Sequence, residues 1–146
     1  MSNGFDGSMP EHYARLLEPI LFNGFAEDAS QRLRLSSGGT VLDIACGTGV
    51  VARKIQAQYP TATVISTDYS LAMVKQARQN PMDHVVTANG IHLPFRDYQF
   101  DAATCQFGLM FMPDPGAALR EARRVLAPRG QLLFSVWESP ESNPVW

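Results

Sequence analysis

The sequence predicts an α/β fold in which a parallel sheet carries helices on both faces. Three observations support this: five short apolar segments of strand type, helical segments of about ten residues between them, and a glycine-broken turn after the first strand. Strands that alternate with helices form right-handed βαβ units and therefore lie parallel. The chain has 146 residues, 45% of them hydrophobic. We expect a mobile tail at residues 1–10 and a single domain at residues 11–146.

The helical patterns begin at about residues 11–35, where Pro19 and Asn23-Gly24 interrupt the apolar periodicity. We expect two short helices there, covering or flanking the glycine turn. The other predicted helices cover residues 49–59, residues 70–79, and a segment that starts at Asp114-Pro115, continues through Leu126 and is closed by Arg129-Gly130.

The predicted strands are short and rich in apolar or β-branched residues, and they cover residues 40–45, 62–67, 84–87, 100–107 and 131–137. The first strand is expected at the centre of the sheet, in the order 3-2-1-4-5. This order places a topological switch point beside the glycine turn, where open α/β sheets bind ligands.

The composition argues against several classes of partner. The formal net charge is -2, with no long run of like charge, so neither nucleic acid nor an anionic membrane is an expected partner. Cys46 and Cys105 lack the spacing of a zinc site, and we expect free thiols and no metal. The first twenty residues lack a long apolar core, which favours a cytoplasmic protein without a leader or membrane span.

The glycine turn predicts a cofactor site. The apolar strand reaches Asp43, and the turn that follows contains Gly47 and Gly49, which allow positive φ and close approach of a ligand to the backbone. A carboxylate at the carboxyl end of this strand suits a cationic or hydroxylated group better than a phosphate. We therefore expect a nucleoside cofactor at this turn.

A second carboxylate lies at the expected distance along the chain. Asp68 ends the second predicted strand, 21 positions after Gly47, the spacing at which an acidic residue accepts hydrogen bonds from a ribose. The alternative is that the negative charge of Asp68 only stabilises the following helix, by interacting with the positive N-terminal end of its dipole. Tyr69 either lies along the nucleobase or is an ordinary surface tyrosine.

A dinucleotide remains an alternative cofactor. The segment from Gly47 to Ala52 also fits the G-x-G-x-x-A pattern of NAD(P)-binding domains, with an acidic residue about 20 positions further on. Asp43 would repel a pyrophosphate, whereas a cofactor with a sulfonium and an amino-acid group would tolerate the carboxylate. A third hypothesis is a cofactor-binding fragment that is inactive without further chain or a partner.

The chain resembles the class I S-adenosylmethionine-dependent methyltransferases, in particular their small-molecule group of type 11. Five segments carry the resemblance in the order and spacing of that family: 41–49, 66–70, Leu93-Pro94-Phe95 with Phe100-Asp101, 106–109 and 124–130. The resemblance implies a Rossmann-like sheet, S-adenosylmethionine as methyl donor with S-adenosylhomocysteine as product, and transfer to a small-molecule acceptor.

The resemblance also implies roles for individual residues. The methionine portion of the cofactor would contact Asp43, the backbone of Ala45, Cys46 and Gly47, and Gln106. The adenosine portion would contact Asp68 at the ribose, Tyr69 and Ile91 on the adenine faces, and Asn89 and Gly90 at the adenine edge.

Three departures from the family pattern stand out. Ala45 replaces a usual glycine, and we expect it to keep a negative φ. Asn89 replaces a usual aspartate, but its amide still hydrogen-bonds. Family members commonly continue into two more, antiparallel strands that are absent here. We therefore expect either a fragment of a longer enzyme or a homo-oligomer that covers the edge of the fifth strand.

The sequence indicates no catalytic residue. Methyl transfer needs chiefly the positioning of donor and acceptor, and a general base only where the acceptor must lose a proton. His92 is the histidine nearest the expected cofactor, but an ordinary loop residue is the better interpretation. Residues 110–112 could line an apolar acceptor pocket or belong to the core, so the acceptor stays open.

Overall fold

A computed structural model describes residues 12–82, 84–139 and 142. Its centre is a five-stranded sheet in the order β3-β2-β1-β4-β5, and every pair of neighbouring strands is parallel. The strands are β1 (Thr40–Ile44), β2 (Thr63–Asp68), β3 (His84–Thr87), β4 (Phe100–Gln106) and β5 (Leu126–Ser135). The predicted class and strand order are confirmed. The tail predicted at residues 1–10 lies outside the described residues.

Helices connect the strands and precede the sheet. An N-terminal π-helical segment (Tyr13–Phe22) leads into α1 (Asn23–Arg32), and the other helices are α2 (Val50–Gln58), α3 (Leu71–Ala77), α4 (Pro115–Val125) and a 3-10 turn (Leu109–Phe111). Asp114 caps α4 by accepting a 2.8 Å hydrogen bond from the amide of Ala117. Within the described part of the chain, no helix is long and apolar enough to cross a membrane.

The N-terminal helical region differs in detail from the prediction. Asn23-Gly24 does not interrupt the helix. The hydrogen-bonding pattern changes there from π to α, and Asn23 has helical dihedral angles. Pro19 lies inside the π-helical segment, whose wider turn is one of the usual responses of a helix to a local irregularity. The two predicted helices are therefore consecutive parts of one helical region.

The boundary between the last helix and the last strand lies earlier in the chain than predicted. α4 ends at Val125, and β5 starts at Leu126 instead of residue 131. Pro128 disfavours helix in the residue before it. Phe100 pairs with Leu126 but Ala102 pairs with Gln131, so the segment 127–130 bulges out of the ladder. The right-handed helix therefore could not continue to Arg129, whose φ is 69°.

Apolar side chains pack on both faces of the sheet, as the doubly covered fold requires. Along β1, Val41 packs towards the N-terminal segment, α1 and α2, whereas Leu42 packs towards α4. Ile55 of α2 and Val125 of α4 are both fully buried. Burial of one such side chain contributes roughly 1.5–3 kcal/mol. Two cores thus hold the carboxyl ends of β1, β2 and β4 at one edge.

Candidate functional site

The glycine turn between β1 and α2 has the backbone conformation that the sequence predicts for close ligand approach. Gly47 and Gly49 have φ values of 55° and 86°. A side chain at Gly47 would meet nothing within 4 Å, so the space beside its Cα is open. A side chain at Gly49 would lie 2.2 Å from the Sδ of Met82. Gly47 therefore leaves room for a ligand, and Gly49 leaves room for packing.

The expectation for Ala45 is wrong. Its φ is 54°, not negative, because the turn that leaves β1 needs a left-handed residue at this position. The methyl group is accommodated opposite Gly108, where an added Cβ would lie 2.4 Å from the Cβ of Ala45. The glycine after β4 thus compensates sterically for the alanine after β1, while the backbone strain at Ala45 remains.

Asp43 is buried at the end of β1, and only one of its two oxygens is paired. The hydroxyl of Thr104 donates a 2.8 Å hydrogen bond to Oδ1, while Oδ2 meets no donor among the described residues. Burial raises the pKa of this carboxyl to about 7, and the nearby negative charge of Asp68 adds to the shift. The hydroxyl of Thr104 opposes it in part, as does the amide of Ala52, which lies near the carboxyl without forming a hydrogen bond to it. A buried acceptor without a donor is costly unless a ligand supplies one.

Gln106 presents a second unpaired acceptor at the same place. Its Nε2 donates a 3.3 Å hydrogen bond to the carbonyl of Phe22, but its Oε1 is buried without a partner in the described chain. Asp43 and Gln106 line one small pocket, together with Phe22, Ala45, Cys46, Gly47, Thr48, Val50 and Val51. Two of the residues that line the cavity beside the glycine turn therefore carry a buried acceptor without a donor among the described residues.

Asp68 organises the turn from the end of β2. Its Oδ2 accepts a 2.8 Å hydrogen bond from the amide of Gly47, and its Oδ1 accepts one of 2.8 Å from the amide of Ser70. Burial raises its pKa, and these backbone amides oppose that shift. Each oxygen keeps a free lone pair for a ligand hydroxyl. The carboxylate joins two backbone turns, while Ser70 itself caps α3.

The residues expected around an adenine follow the ends of β2 and β3, and they do not line the small pocket. Tyr69 is 63% exposed. Asn89 accepts a 3.1 Å hydrogen bond from the amide of Ile91, which closes a tight turn after β3. A side chain at Gly90 would lie 3.3 Å from the Cγ2 of Ile44. The loop therefore lies against the carboxyl end of β1.

Arg124 fixes the segment that follows this loop. Its guanidinium donates to the carbonyls of Leu93 and Phe95, at 3.0 and 2.8 Å, and forms ion pairs with Glu121 and Asp97. These partners raise the pKa of Arg124, and the guanidinium lowers that of Glu121. The arginine and the Leu-Pro-Phe motif noted in the sequence thus form one structural unit.

Sequence reasoning missed several residues that line the pocket or hydrogen-bond its lining. Thr104 pairs in register with Asp43 across β1 and β4, so aligning the two predicted strands would have indicated it. Thr48 lies between the two glycines and is buried. No sequence pattern indicates Phe22, because its position depends on the packing of the N-terminal segment against Phe107. The ring centroids of Phe22 and Phe107 are 5.6 Å apart.

The two cysteines are free and buried, as expected. Burial raises the pKa of Cys46, and it raises that of Cys105 to about 12. Both are therefore thiols at neutral pH and poor nucleophiles. Cys46 contributes to the pocket through its backbone position in the turn and not through thiolate chemistry.

The sheet order, the acidic end of β1 and the open glycine turn together define an α/β domain of the cofactor-dependent methyltransferase type. The family model described as "Methyltransferase domain" matches residues 42–134, which is more than half of the chain. The chain belongs to this methyltransferase domain family.

Curated relatives and a solved structure agree with this family. The chain is 36% identical over 129 residues to a demethylmenaquinone methyltransferase of Lactiplantibacillus plantarum, covering 79% of the chain and 53% of the relative. It is 44% identical over 117 residues to a ubiquinone/menaquinone biosynthesis C-methyltransferase of Bartonella henselae, covering 73% and 45%. The chain thus spans about half the length of these relatives.

The solved structure is that of an amino pentose methyltransferase of Micromonospora echinaspora with bound S-adenosylmethionine. It matches with a TM-score of 0.71 and 26% identity, covering 82% of this chain and 52% of that one.

Proposed function

We propose that this chain binds S-adenosylmethionine and serves methyl transfer to a small-molecule acceptor. The observation that carries the proposal is the pair of buried, unpaired acceptors, Asp43 Oδ2 and Gln106 Oε1, beside the open face of Gly47. Acceptors of this kind fit a ligand with an ammonium group and a positive sulfur. A pyrophosphate, which carries negative charge and no donors, does not fit them.

The hydrogen-bonding groups of the residues present match those of the whole cofactor in the orientation that the family resemblance implies. Asp43, Gln106 and the backbone of Ala45, Cys46 and Gly47 would hold the methionine portion. Asp68 would accept the ribose hydroxyls with lone pairs that its two amide partners leave free.

The adenine would lie between Tyr69 and Ile91, with its edge at Asn89 and Gly90. The exposed Tyr69 ring leaves a face for stacking. Asn89 uses its Oδ1 for the amide of Ile91, so its Nδ2 is the atom that would donate to an acceptor on the adenine edge.

When bound, the cofactor supplies a methyl group that the positive sulfur activates for displacement. The chain's own part is to orient that donor and to keep water from it. Phe22, Val50 and Val51 supply apolar walls to the pocket for the second task. Proximity and orientation alone can supply roughly 7–11 kcal/mol of the barrier in favourable cases. We assign no general base.

We propose quinone precursors as the first acceptors to assay, because one curated relative is named a demethylmenaquinone methyltransferase and the other a ubiquinone/menaquinone biosynthesis C-methyltransferase. Met110 and Phe111, which follow β4 next to Gln106, are exposed and apolar and would suit such an acceptor. Transfer from labelled S-adenosylmethionine to demethylmenaquinol, but not to a polar amine, would support this choice. The reverse pattern would overturn it.

Calorimetric titration tests the cofactor itself. We expect S-adenosylhomocysteine to bind to the purified chain and NAD not to bind. Binding of NAD alone would favour the dinucleotide alternative. A cofactor-binding fragment would bind S-adenosylhomocysteine without transferring a methyl group to any acceptor. Transfer would then appear on adding the half of a relative that the chain does not match.

We also propose that the described residues form one domain whose β5 edge pairs with another strand. Phe134 and Val136 at this edge are 50% and 48% exposed, an apolar surface that an unpaired strand rarely presents. Light scattering of the purified chain would give a dimer mass. Self-association would be contradicted if the chain stays folded and monomeric in dilute solution and does not bind a dye that detects exposed apolar surface.

A further inference from the structure

The N-terminal segment (Tyr13–Phe22) is attached to the glycine turn by one acidic side chain. Glu18 accepts a 2.5 Å hydrogen bond from the hydroxyl of Thr48, and its other oxygen forms an ion pair with Arg53 of α2. The side chains of Glu18 and Arg53 are only 16% and 24% exposed. This pair is thus more shielded from water and salt than an ordinary surface ion pair, and removing one partner would leave the other charge poorly solvated.

Thr48 is held from two sides by the same network. While its hydroxyl donates to Glu18, its carbonyl accepts a 2.8 Å hydrogen bond from Arg53 and one of 3.3 Å from Asn80. Thr48 lies between Gly47 and Gly49, the flexible positions of the turn. Glu18 therefore influences the conformation of the turn that we propose holds the cofactor.

One helical turn beyond Glu18, the same segment closes the pocket. Phe22 lines the cavity, and its carbonyl accepts the hydrogen bond from Gln106. The cavity between Phe22 and the turn has a volume of only about 30 Å³, room for a few waters but not for an amino-acid group. Phe22 is the lining residue that the N-terminal segment contributes, so movement of this segment would widen the cavity for the methionine portion.

Three large apolar side chains of this segment add little to its attachment. Its large apolar side chains Leu16, Leu17 and Ile20 are 49%, 44% and 85% exposed, so they bury little surface against the sheet. Segments with little apolar burial open at low free-energy cost. Among the described residues, the segment is attached through the Glu18 contacts, the Phe22 ring and the hydrogen bond from Gln106 to the Phe22 carbonyl.

We infer that Glu18 is a latch: a positioning residue that holds the N-terminal segment closed over the cofactor site and sets the rates at which cofactor enters and leaves. The inference rests on the proposed function only for the identity of the ligand. Glu18 touches neither reacting group, so its effect must appear in opening and exchange rates, and only through them in turnover.

The test compares Glu18→Ala with Glu27→Ala in the full chain. Glu27 of α1 pairs with Lys54 of α2 at 3.0 Å, so the control removes a neighbouring ion pair to the same helix without touching the glycine turn. Hydrogen exchange of residues 15–22 is measured without ligand. Association and dissociation rates of S-adenosylhomocysteine are measured by stopped flow.

We expect Glu18→Ala to accelerate exchange over residues 15–22 and dissociation of S-adenosylhomocysteine, each at least ten-fold, while exchange of β1 and β4 stays unchanged. Glu27→Ala should change neither. If Glu18→Ala fails to fold, Glu18→Gln, which keeps the shape and loses the charge, should show the same changes in smaller measure.

Unchanged exchange over residues 15–22 would overturn the latch, whatever the ligand result. Faster exchange with unchanged ligand rates would overturn its control of cofactor entry. If the wild-type chain does not bind S-adenosylhomocysteine, the proposed function fails, yet the exchange measurement still decides whether Glu18 closes the segment.

Discussion

The two carboxylates at the carboxyl edge of the sheet have opposite hydrogen-bonding states. Asp68 at the end of β2 has both oxygens bonded to backbone amides, those of Gly47 and Ser70. Asp43 at the end of β1 has one oxygen bonded to Thr104 and the other buried without a partner in the described chain. Both oxygens of Asp68 thus have a protein partner, whereas one oxygen of Asp43 has none among the described residues.

This difference indicates that the two carboxylates have different tasks: one fixes the shape of the site, and the other binds the ligand. A carboxylate with each oxygen already bonded to a backbone amide fixes the turn before any ligand arrives, and its remaining lone pairs are left for the ribose. A buried carboxylate with an unpaired oxygen lowers stability until a ligand donates to it. Asp68 thus shapes the adenosine side, and Asp43 with Gln106 retains binding capacity on the methionine side.

The largest effect is expected for Asp68→Ala, since it removes the amide contacts of the turn together with the proposed ribose contact. We expect the affinity for S-adenosylhomocysteine to fall roughly 100-fold, equivalent to about 3 kcal/mol, measured by calorimetry.

Asp101→Ala is the matched control for Asp68→Ala. Asp101 also binds a backbone amide, that of Thr40 at 2.8 Å, but at the opposite end of the sheet. The control should lower the melting temperature and leave affinity unchanged. Equal affinity in Asp68→Ala and the wild type would disprove the ribose assignment.

Asp43→Asn should change the dependence of stability on pH. The pKa of Asp43 is about 7 in the folded chain against an ordinary value of 3.8, so the unfolded chain releases this proton at lower pH than the folded chain. The group therefore lowers stability progressively as pH rises from about 4 to 7, and fully above that window.

Melting curves of wild type and Asp43→Asn check this expectation. The variant should melt at a higher temperature at pH 8, and the difference should shrink towards pH 4. Its affinity for S-adenosylhomocysteine should nevertheless fall roughly ten-fold, because a charged acceptor is lost. A variant that is less stable than wild type at pH 8 would contradict the unpaired state of Asp43.

Gln106→Leu should have a smaller effect on binding. It removes the unpaired Oε1 together with the donor to Phe22, so we expect S-adenosylhomocysteine to bind three- to ten-fold more weakly, about 1 kcal/mol. Calorimetry at pH 7 measures this. An unchanged affinity would place the methionine portion away from β4.

Ala45→Gly should have the smallest effect, and a favourable one. Alanine at φ 54° is strained by roughly 1 kcal/mol relative to glycine, although glycine gains entropy in the unfolded chain. We expect a free energy of unfolding equal to or up to about 1 kcal/mol above that of the wild type in urea titration. A clear loss of stability would show that the methyl contact with Gly108 outweighs the strain.

Much of the fold could be predicted from the sequence, because alternating apolar segments and glycine turns are local signals. The strand order and the placement of Asp43, Gly47 and Asp68 at one edge followed from them. The end of α4 could not be read from apolar periodicity alone, since the bulge at 127–130 depends on pairing with β4.

The rest of the pocket depends on contacts between distant parts of the chain. The helical region ahead of the sheet lies against the glycine turn, as the sequence predicted. Nothing in the sequence context of Glu18 and Phe22 indicates that these two side chains make the contacts. The φ of Ala45 was mispredicted because its tolerance comes from the missing side chain of Gly108, 63 positions away in the chain.

A crystal structure of the chain with S-adenosylhomocysteine tests the central contrast most directly. We expect the amino-acid portion of the ligand to lie beside Gly47, with hydrogen-bond donors facing Asp43 and Gln106, and the ribose hydroxyls against an Asp68 that keeps both amide contacts. A ligand bound elsewhere, with Asp43 Oδ2 and Gln106 Oε1 still unpaired, would contradict the account.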